Sequence, residues 1–210
     1  MAKVSRNRTL TLSDEERAAY KLQLLSENDL ATGIDMTDSI INADLASALP
    51  FVPASFADLI IIDPPYNLTK DFNGTRFTSR SEQEYIDYVR GWLPDVVAKL
   101  KPTGSLYLCG DWKCTAALQQ VLSEHLHIMN RITWQREKGR GATNNWKNGM
   151  EDIWFAVKDP KHYCFNVEDV KLRRRVMAPY RTENQPKDWE ETPEGRFRMT
   201  YPSNFWDDIS

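Results

Sequence analysis

The chain has 210 residues and a formal net charge of −3, and it is 41% hydrophobic and 27% charged, with 9 glycines and 11 prolines. This composition excludes collagen-like, coiled-coil and largely disordered proteins. Because no apolar run reaches the roughly 18 residues that cross a bilayer, and the N-terminal segment has no apolar signal core, we expect a cytoplasmic protein without membrane contact. Three cysteines and three histidines lack close spacing, which predicts reduced thiols and no metal site.

The net charge conceals a basic segment in the second half of the chain. Residues 131–181 hold 12 Lys and Arg against 6 Asp and Glu, whereas residues 1–130 hold 12 against 17 and residues 182–210 hold 3 against 7. Six aromatic residues are interleaved with the basic segment: Trp134, Trp146, Trp154, Phe155, Tyr163 and Phe165. This pattern is typical of a surface that neutralises phosphates and stacks on bases. A solvated face with core aromatics behind it is the alternative.

Helices and strands alternate in the first half of the chain. Ser13–Glu16 fits a capping box that opens a peripheral helix extending to about Leu25. In residues 58–63, four consecutive apolar residues stand between Asp58 and Asp63. This pattern is typical of a strand buried on both faces of a parallel sheet. A second capping box, Ser81–Glu84, opens an amphipathic helix that extends to Leu100.

A strand at residues 105–110 and a helix at residues 117–126 follow. This order of strands and helices indicates right-handed crossovers and a partial doubly wound, Rossmann-like α/β sheet. From residue 128 the pattern changes to aromatic-rich strands near residues 128–136, 151–158 and 162–166. We interpret this basic, β-rich region as an insertion in the α/β unit.

Asp63-Pro64-Pro65-Tyr66, the tetrad, stands directly after the apolar strand, where doubly wound proteins bind ligands. Two prolines fix φ near about −65° and remove two amide donors, so the turn is rigid and rich in acceptors. Asp63 and the carbonyl of Pro64 can each accept one proton of an exocyclic amine, while Tyr66 can stack on an extruded base. A strand-ending turn with a packed tyrosine is the alternative.

The segment Asp58–Leu68 resembles the catalytic motif of the amino-methylating DNA methyltransferases, specifically their permuted (beta) group. Segments 101–106, 151–155 and 201–206 resemble later motifs in the family's order, so the resemblance covers about residues 40–210. It implies methyl transfer from S-adenosyl-L-methionine to the exocyclic amine of adenine in double-stranded DNA, in a restriction-modification system. Cytosine N4-methylation uses the same acceptor chemistry, and by resemblance an aspartate at the first motif position favours adenine.

The resemblance also assigns site residues. Asp63, Pro64, Pro65 and Tyr66 are expected to be catalytic, and Asp63 is also expected to contact the cofactor. Asp44 lies where the family has a Gly-Asp turn whose acid contacts the cofactor, although a helix N-cap is the alternative.

The basic segment supplies the expected DNA contacts. In the loop 137–149, asparagine can pair with adenine and arginine or lysine with guanine, and the following cluster is expected to contact phosphates. An ordinary mobile hairpin is the alternative for the loop. The candidates are Lys138, Arg140, Asn144, Asn145 and Lys147 in the loop, and Lys171, Arg173, Arg174 and Arg175 in the cluster. The predicted parts are a helical extension (1–30), a catalytic half-domain (31–130) and a target-recognition region with a C-terminal excursion (131–210).

Permuted members continue into a Gly-rich loop of the Phe-x-Gly-x-Gly kind that cradles the cofactor, and this sequence has none after an apolar strand. We therefore expect a second chain that carries the Gly-rich cofactor-binding half, although a fragment or a prematurely ended gene would have the same sequence. Two other functions stay open. One is a catalytically silent DNA-binding or specificity subunit, and the other is an RNA or protein amine methyltransferase.

Overall fold

A computed structural model describes residues 11–72, 75–136, 143–177, 181–183, 185–186, 188–207 and 209. The chain forms two compact units, Met1–Pro53 and Ala54–Ser210. The structure therefore divides the chain after Pro53, whereas the sequence predicted divisions after residues 30 and 130. The difference arises because strands on both sides of residue 130 belong to one sheet.

The first unit consists of short elements: α1 (Asp14–Lys21), β1 (Leu24–Leu25), α2 (Glu27–Leu30), β2 (Ile40–Ile41), α3 (Leu45–Ala48) and a 3-10 helix (Leu49–Phe51). The predicted capping box at Ser13 is confirmed, because the Glu16 amide donates to Ser13 Oγ and the Ser13 amide donates to Glu16 Oε2. The helix ends at Lys21 rather than near Leu25, since Leu24 and Leu25 pair in parallel with Ile40 and Ile41.

The second unit begins with β3 (Ala57–Ile62), the hairpin β4 (Lys70–Phe72) and β5 (Thr75–Phe77), and the helices α4 (Glu82–Arg90) and α5 (Leu93–Lys99). It continues with β6 (Leu100–Gly110), α6 (Thr115–Ser123), β7 (His127–Gln135) and β8 (Met150–Val157). The single helix predicted from the Ser81 box is two helices. Gly91 caps α4, and Pro94, which lacks an amide donor, lies in the first turn of α5.

The remaining elements are a 3-10 helix (Val167–Val170), β9 (Leu172–Arg175), β10 (Arg181–Thr182), β11 (Gln185–Pro186), β12 (Glu190–Thr192), β13 (Gly195–Thr200) and β14 (Phe205–Trp206). β12, β13 and β9 form a separate antiparallel sheet. The strand predicted at residues 162–166 is wrong, since these residues form no strand.

Five strands form the central sheet, in the order β14-β7-β8-β6-β3. β3 and β6 are parallel, and so are β14 and β7, whereas β8 is antiparallel to both β6 and β7. The predicted α/β class is confirmed. The strands expected within the inserted region instead complete the central sheet, because residues 152–157 of β8 pair with β6 and the strand also pairs with β7.

A cluster of buried residues that includes Ile153 and Phe155 of β8 lies on one face of this sheet. The helices α4, α5 and α6 cover a second part of the core on the other face. Leu106 and Leu108 of β6 and Leu118 of α6 are fully buried there. On the opposite face, Leu59 is 53% and Ile61 is 68% exposed. The prediction that this strand is buried on both faces is therefore wrong for the described residues, in which β3 is an edge strand with helices over one face.

Candidate active site

The tetrad lies at the carboxyl edge of the central sheet, directly after β3. Because β3 and β6 are parallel, their carboxyl ends share this edge, and the antiparallel β8 begins there, with Asp152 opposite Gly110. The connection between β7 and β8 leaves from the same edge. The topology thus places the tetrad and the described part of the predicted recognition loop, residues 143–149, at the same edge of the sheet.

The Asp63 carboxylate is exposed at this edge of the sheet. Within the described residues, no cation lies at ion-pair distance from it. Pro64 is buried and Pro65 is exposed. A carboxylate that is held at a rigid turn without a paired cation among the described residues is available to accept hydrogen bonds from a ligand.

Tyr85 of α4 anchors the turn. Its side chain is 3% exposed, and its hydroxyl donates to the Pro65 carbonyl at 3.1 Å. The amide of Leu68 donates to the Tyr66 carbonyl at 2.6 Å. No hydrogen bond to the Pro64 carbonyl occurs in the described part of the chain, so this acceptor stays available beside Asp63.

The hydroxyl of Tyr66 lies between two carboxylates. It donates to Glu151 Oε2 at 3.4 Å and also forms a hydrogen bond with Asp63. Burial raises the pKa of Tyr66 far above its ordinary value, and the Asp63 bond and the negative charges of Glu151 and Asp63 raise it further. The phenol therefore stays protonated and acts as a donor near neutral pH.

Glu151 joins the tetrad to the connection that follows β7. It stands near the start of β8, and its carboxylate forms an ion pair with Arg136, the residue after β7. Cys109 of β6 lies beside the same carboxylates, and its pKa is raised to about 11, first by burial and then by the charges of Asp63 and Glu151. From the sequence, Glu151 was expected only to be part of a core strand. The local sequence signal for the contacts of Glu151 is the acidic pair Glu151-Asp152 near the start of an otherwise apolar strand.

Asn67, directly after the tetrad, closes a loop over the site. Its side-chain amide donates to the Arg80 carbonyl at 2.9 Å, and the Arg80 amide donates to Asn67 Oδ1 at 2.7 Å. Thr69 and Ser79 form a second cross-link, with the Ser79 amide donating to Thr69 Oγ1 at 3.1 Å. Residues 67–69 and 79–80 are thus cross-linked to each other directly after the tetrad.

A cavity of about 500 Å³ opens beside Pro65 and Tyr66, between this loop and α4. Arg76 and Arg80 from the loop and Tyr85 and Tyr88 from the helix contribute to its wall. Neither arginine was predicted from the sequence to have a role, because both lie outside the basic segment.

The predicted loop contacts are only partly described. Lys138 and Arg140 lie outside the described residues. Asn144, Asn145 and Lys147 are exposed in the connection between β7 and β8, as is Trp146, whose side chain is 96% exposed. The structure thus leaves these polar side chains accessible at the edge that carries the tetrad.

The predicted phosphate-contact cluster is partly neutralised within the chain. Lys171 forms an ion pair with Glu168 at 2.7 Å, and Arg173 forms one with Glu190 at 3.0 Å. Arg174 and Arg175 of β9 are exposed and have no ion pair among the described residues. The structure describes no contact between this cluster and the tetrad.

Asp44, the predicted cofactor contact in the first unit, caps α3. Its Oδ1 accepts from the Ala46 amide at 2.9 Å. A cofactor contact by Asp44 stays a prediction.

The residues fit the acceptor half of a methyltransferase site better than the cofactor half. Asp63 and Pro64 offer acceptors, but no described strand leads into a turn with two closely spaced glycines. The closely spaced pair in the sequence, Gly139 and Gly141, lies outside the described residues. Among the described residues, no helix is long and apolar enough to span a membrane, and no three potential metal-ligating side chains come together.

An apolar groove of about 870 Å³ lies over the face of the sheet opposite α4, α5 and α6. Leu59 and Ile61 of β3, Tyr107 and Cys109 of β6, and Phe155 of β8 contribute to its wall. Exposed apolar side chains beside a strand edge can serve as an interaction site.

Comparison with known proteins gives the family. A profile described as DNA methylase matches residues 57–207. Type II methyltransferase M.HpaI from Haemophilus parainfluenzae is 29% identical over 174 residues, which cover 82% of this chain and 51% of that protein. DNA adenine methyltransferase YhdJ from Escherichia coli (strain K12) is 30% identical over 179 residues, which cover 80% of this chain and 56% of that protein. This chain thus spans about half the length of these relatives.

Among solved structures, PvuII DNA methyltransferase (cytosine-N4-specific) is 14% identical and superposes with a TM-score of 0.49, over 80% of this chain and 55% of that one. The profile match extends from the first residue of β3 to the residue after β14. It therefore includes the tetrad and every strand of the central sheet, and this chain belongs to the N6/N4 DNA methylase family.

Proposed function

We propose that this chain carries the methyl-acceptor half of an enzyme that methylates the exocyclic amine of adenine within a specific sequence of double-stranded DNA, as part of a restriction-modification system. The observation that carries the proposal is the exposed Asp63 carboxylate, which has no ion pair among the described residues and stands beside the unused Pro64 carbonyl. Similarity to a relative named DNA adenine methyltransferase supports adenine over cytosine.

These two acceptors suit an exocyclic amine, which carries two protons. Asp63 and the Pro64 carbonyl each accept one of them, which orients the nitrogen lone pair toward the methyl donor. The Tyr66 ring is proposed to stack on the extruded base and offset part of the unstacking cost of a few kcal/mol. S-adenosyl-L-methionine, when bound, supplies the electrophilic methyl group.

Sequence reading is assigned to the connection between β7 and β8, with Lys138, Arg140, Asn144, Asn145 and Lys147 as base contacts. Lys171, Arg173, Arg174 and Arg175 are assigned to phosphates. The accessible position of the described loop residues at the tetrad edge supports the first assignment. The ion pairs of Lys171 and Arg173 limit the second, because binding phosphate there requires exchange of an internal carboxylate for the phosphate.

The cofactor-binding half is proposed to come from a second chain that covers the apolar groove and pairs with β3. The exposed Leu59 and Ile61 support this assignment, since β3 has a neighbouring strand on one side only among the described residues. Unpaired strand edges and large apolar patches favour association.

The test combines this chain with a candidate chain that carries a Phe-x-Gly-x-Gly segment and measures transfer of labelled methyl groups from S-adenosyl-L-methionine to DNA. We expect a heteromer by light scattering, N6-methyladenine in the digested product, and no transfer with the Asp63→Ala variant, whose DNA affinity stays within a few fold. Asp63→Asn is the matched control for shape, because it keeps one acceptor oxygen and loses the charge.

Each outcome has a distinct meaning. N4-methylcytosine in the product would correct the base but keep the acceptor chemistry. Full activity of Asp63→Ala would contradict the catalytic assignment. DNA binding without transfer in the complete complex would indicate a DNA-binding subunit without catalytic activity, and tight binding of S-adenosyl-L-methionine by a monomer of this chain would contradict the second-chain proposal.

A further inference from the structure

The cavity beside the tetrad contains two arginines that form no ion pair with any carboxylate of the described residues. Arg76 and Arg80 contribute to its wall and have no ion pair among the described residues. By contrast, Arg136 near the tetrad is paired with Glu151. Arg76 and Arg80 therefore carry a positive charge that is not paired within the described residues, whereas the charge of Arg136 is paired.

One carboxylate shares the cavity wall, and it is already engaged. Glu84 accepts from the Ser81 amide at 2.9 Å and from the Ser81 hydroxyl at 2.7 Å. These bonds, with a smaller contribution from the Arg80 charge, lower the pKa of Glu84, so it stays ionised. Two guanidinium groups against one capped carboxylate leave a net positive wall.

The position of Arg80 is fixed by its neighbours. Its backbone is held by Asn67 through two hydrogen bonds, and its guanidinium lies over the Tyr88 ring, 4.4 Å from the centroid. A guanidinium stacked on an aromatic face keeps its N–H groups directed outward, where they can bind a planar or tetrahedral anion. Arg80 therefore requires little reordering to bind a phosphate.

We propose that this cavity binds the phosphodiester backbone of the DNA strand that carries the target base, with Arg76 and Arg80 contacting the phosphates that flank it. The inference rests on the proposed function. A base that reaches Asp63 brings its own sugar and adjacent phosphates to the wall next to Tyr66, which is where this cavity opens. The volume of about 500 Å³ lies in the range of about 300–1,000 Å³ typical of ligand sites.

Arg76 and Arg80 are proposed to increase the affinity for DNA without selecting a base sequence. Phosphate contacts position the strand and carry no base information. Each neutralised phosphate contributes about 0.9 to the slope of log K against log salt concentration. Loss of either arginine is therefore expected to weaken binding of every sequence alike and to flatten the salt dependence.

The experiment measures binding of a random-sequence duplex pool to the full chain by fluorescence anisotropy over a series of KCl concentrations. We expect Arg76→Gln and Arg80→Gln each to lower the slope by about 0.9, while Arg76→Lys and Arg80→Lys retain it. Arg90→Gln is the matched control, since Arg90 lies on α4 but is already paired with Glu124 and Asp87. Circular dichroism establishes that each variant is folded.

A second measurement is independent of substitution. Phenylglyoxal modifies accessible arginines, and peptide mapping by mass spectrometry is expected to show DNA-dependent protection of Arg76 and Arg80 but not of Arg90. Unchanged slopes and no protection, in a chain that binds DNA, would overturn this site and leave the proposed function intact. Failure to bind any duplex, in this chain and in its complex with the cofactor-binding chain, would overturn the proposed function and this site together.

Discussion

The hydroxyl of Tyr85 provides a direct measure of how firmly the tetrad is held. It is the buried donor to the Pro65 carbonyl, at 3.1 Å. The Tyr85→Phe variant removes this donor and keeps the ring, so the core has no new cavity. A typical hydrogen bond contributes about 0.5–1.5 kcal/mol net. Because Pro65 is exposed, water can replace the lost donor, and we expect a loss of about 1 kcal/mol in the free energy of unfolding.

This loss corresponds to a decrease in Tm of about 2–4 °C for a protein of this size, measurable by differential scanning calorimetry of the full chain. If the same energy is lost in the transition state, kcat of the reconstituted enzyme falls about five-fold.

Tyr88→Phe is the matched control. Tyr88 lies one turn along the same helix, and its hydroxyl has no hydrogen-bond partner among the described residues. Its ring, which lies under Arg80, is retained. We expect a change within about 0.5 kcal/mol. An unchanged Tm for Tyr85→Phe, or an equal decrease for Tyr88→Phe, would refute the anchoring role of Tyr85.

Two further predictions concern the sheet edge beside the tetrad. Gly110→Ala places a Cβ 2.5 Å from Cδ1 of the fully buried Leu118, and overpacking of this kind lowers the free energy of unfolding by about 1–3 kcal/mol, measured by urea denaturation. Gly149→Ala is the neutral control, because its Cβ lies 3.7 Å from its nearest neighbour. Equal stabilities of the two variants would contradict this packing. The pKa of the Cys109 thiol is raised to about 11, so at about pH 8 it is expected to react with iodoacetamide far more slowly than the exposed Cys164. Its rate is expected to rise with pH up to about pH 11. Equal rates for the two cysteines by peptide mass spectrometry would show that burial and the neighbouring carboxylates leave Cys109 unprotected.

The elements predicted correctly are those with local causes. The capping box at Ser13 depends on a side chain and a backbone amide three residues apart, and the strand before the tetrad depends on a short apolar run. The tetrad itself was identified because its chemistry is contained in four consecutive residues. The boundary between α4 and α5 was missed, although Gly91 and Pro94 mark it, since the apolar spacing continues across both helices.

The errors have non-local causes. The predicted burial of β3 on both faces assumed a neighbour on each side, and an apolar run has the same spacing in a central strand and in an edge strand. Residue 130 lies within β7, and the pairing of β7 and β8 with the rest of the sheet is a property of register between distant segments. Neither feature is contained in a local window of sequence.

The sequence by itself determined the fold class, the family resemblance carried by the tetrad, and the chain's basic segment. Only the tertiary structure placed Glu151 against the Tyr66 hydroxyl, 85 positions along the chain, and brought Arg80 beside the tetrad through Asn67. The physical reason is that hydrogen bonds and charges act over a few ångströms in space. An antiparallel strand and a closed loop return distant residues to the same sheet edge, whereas sequence patterns record neighbours along the chain only.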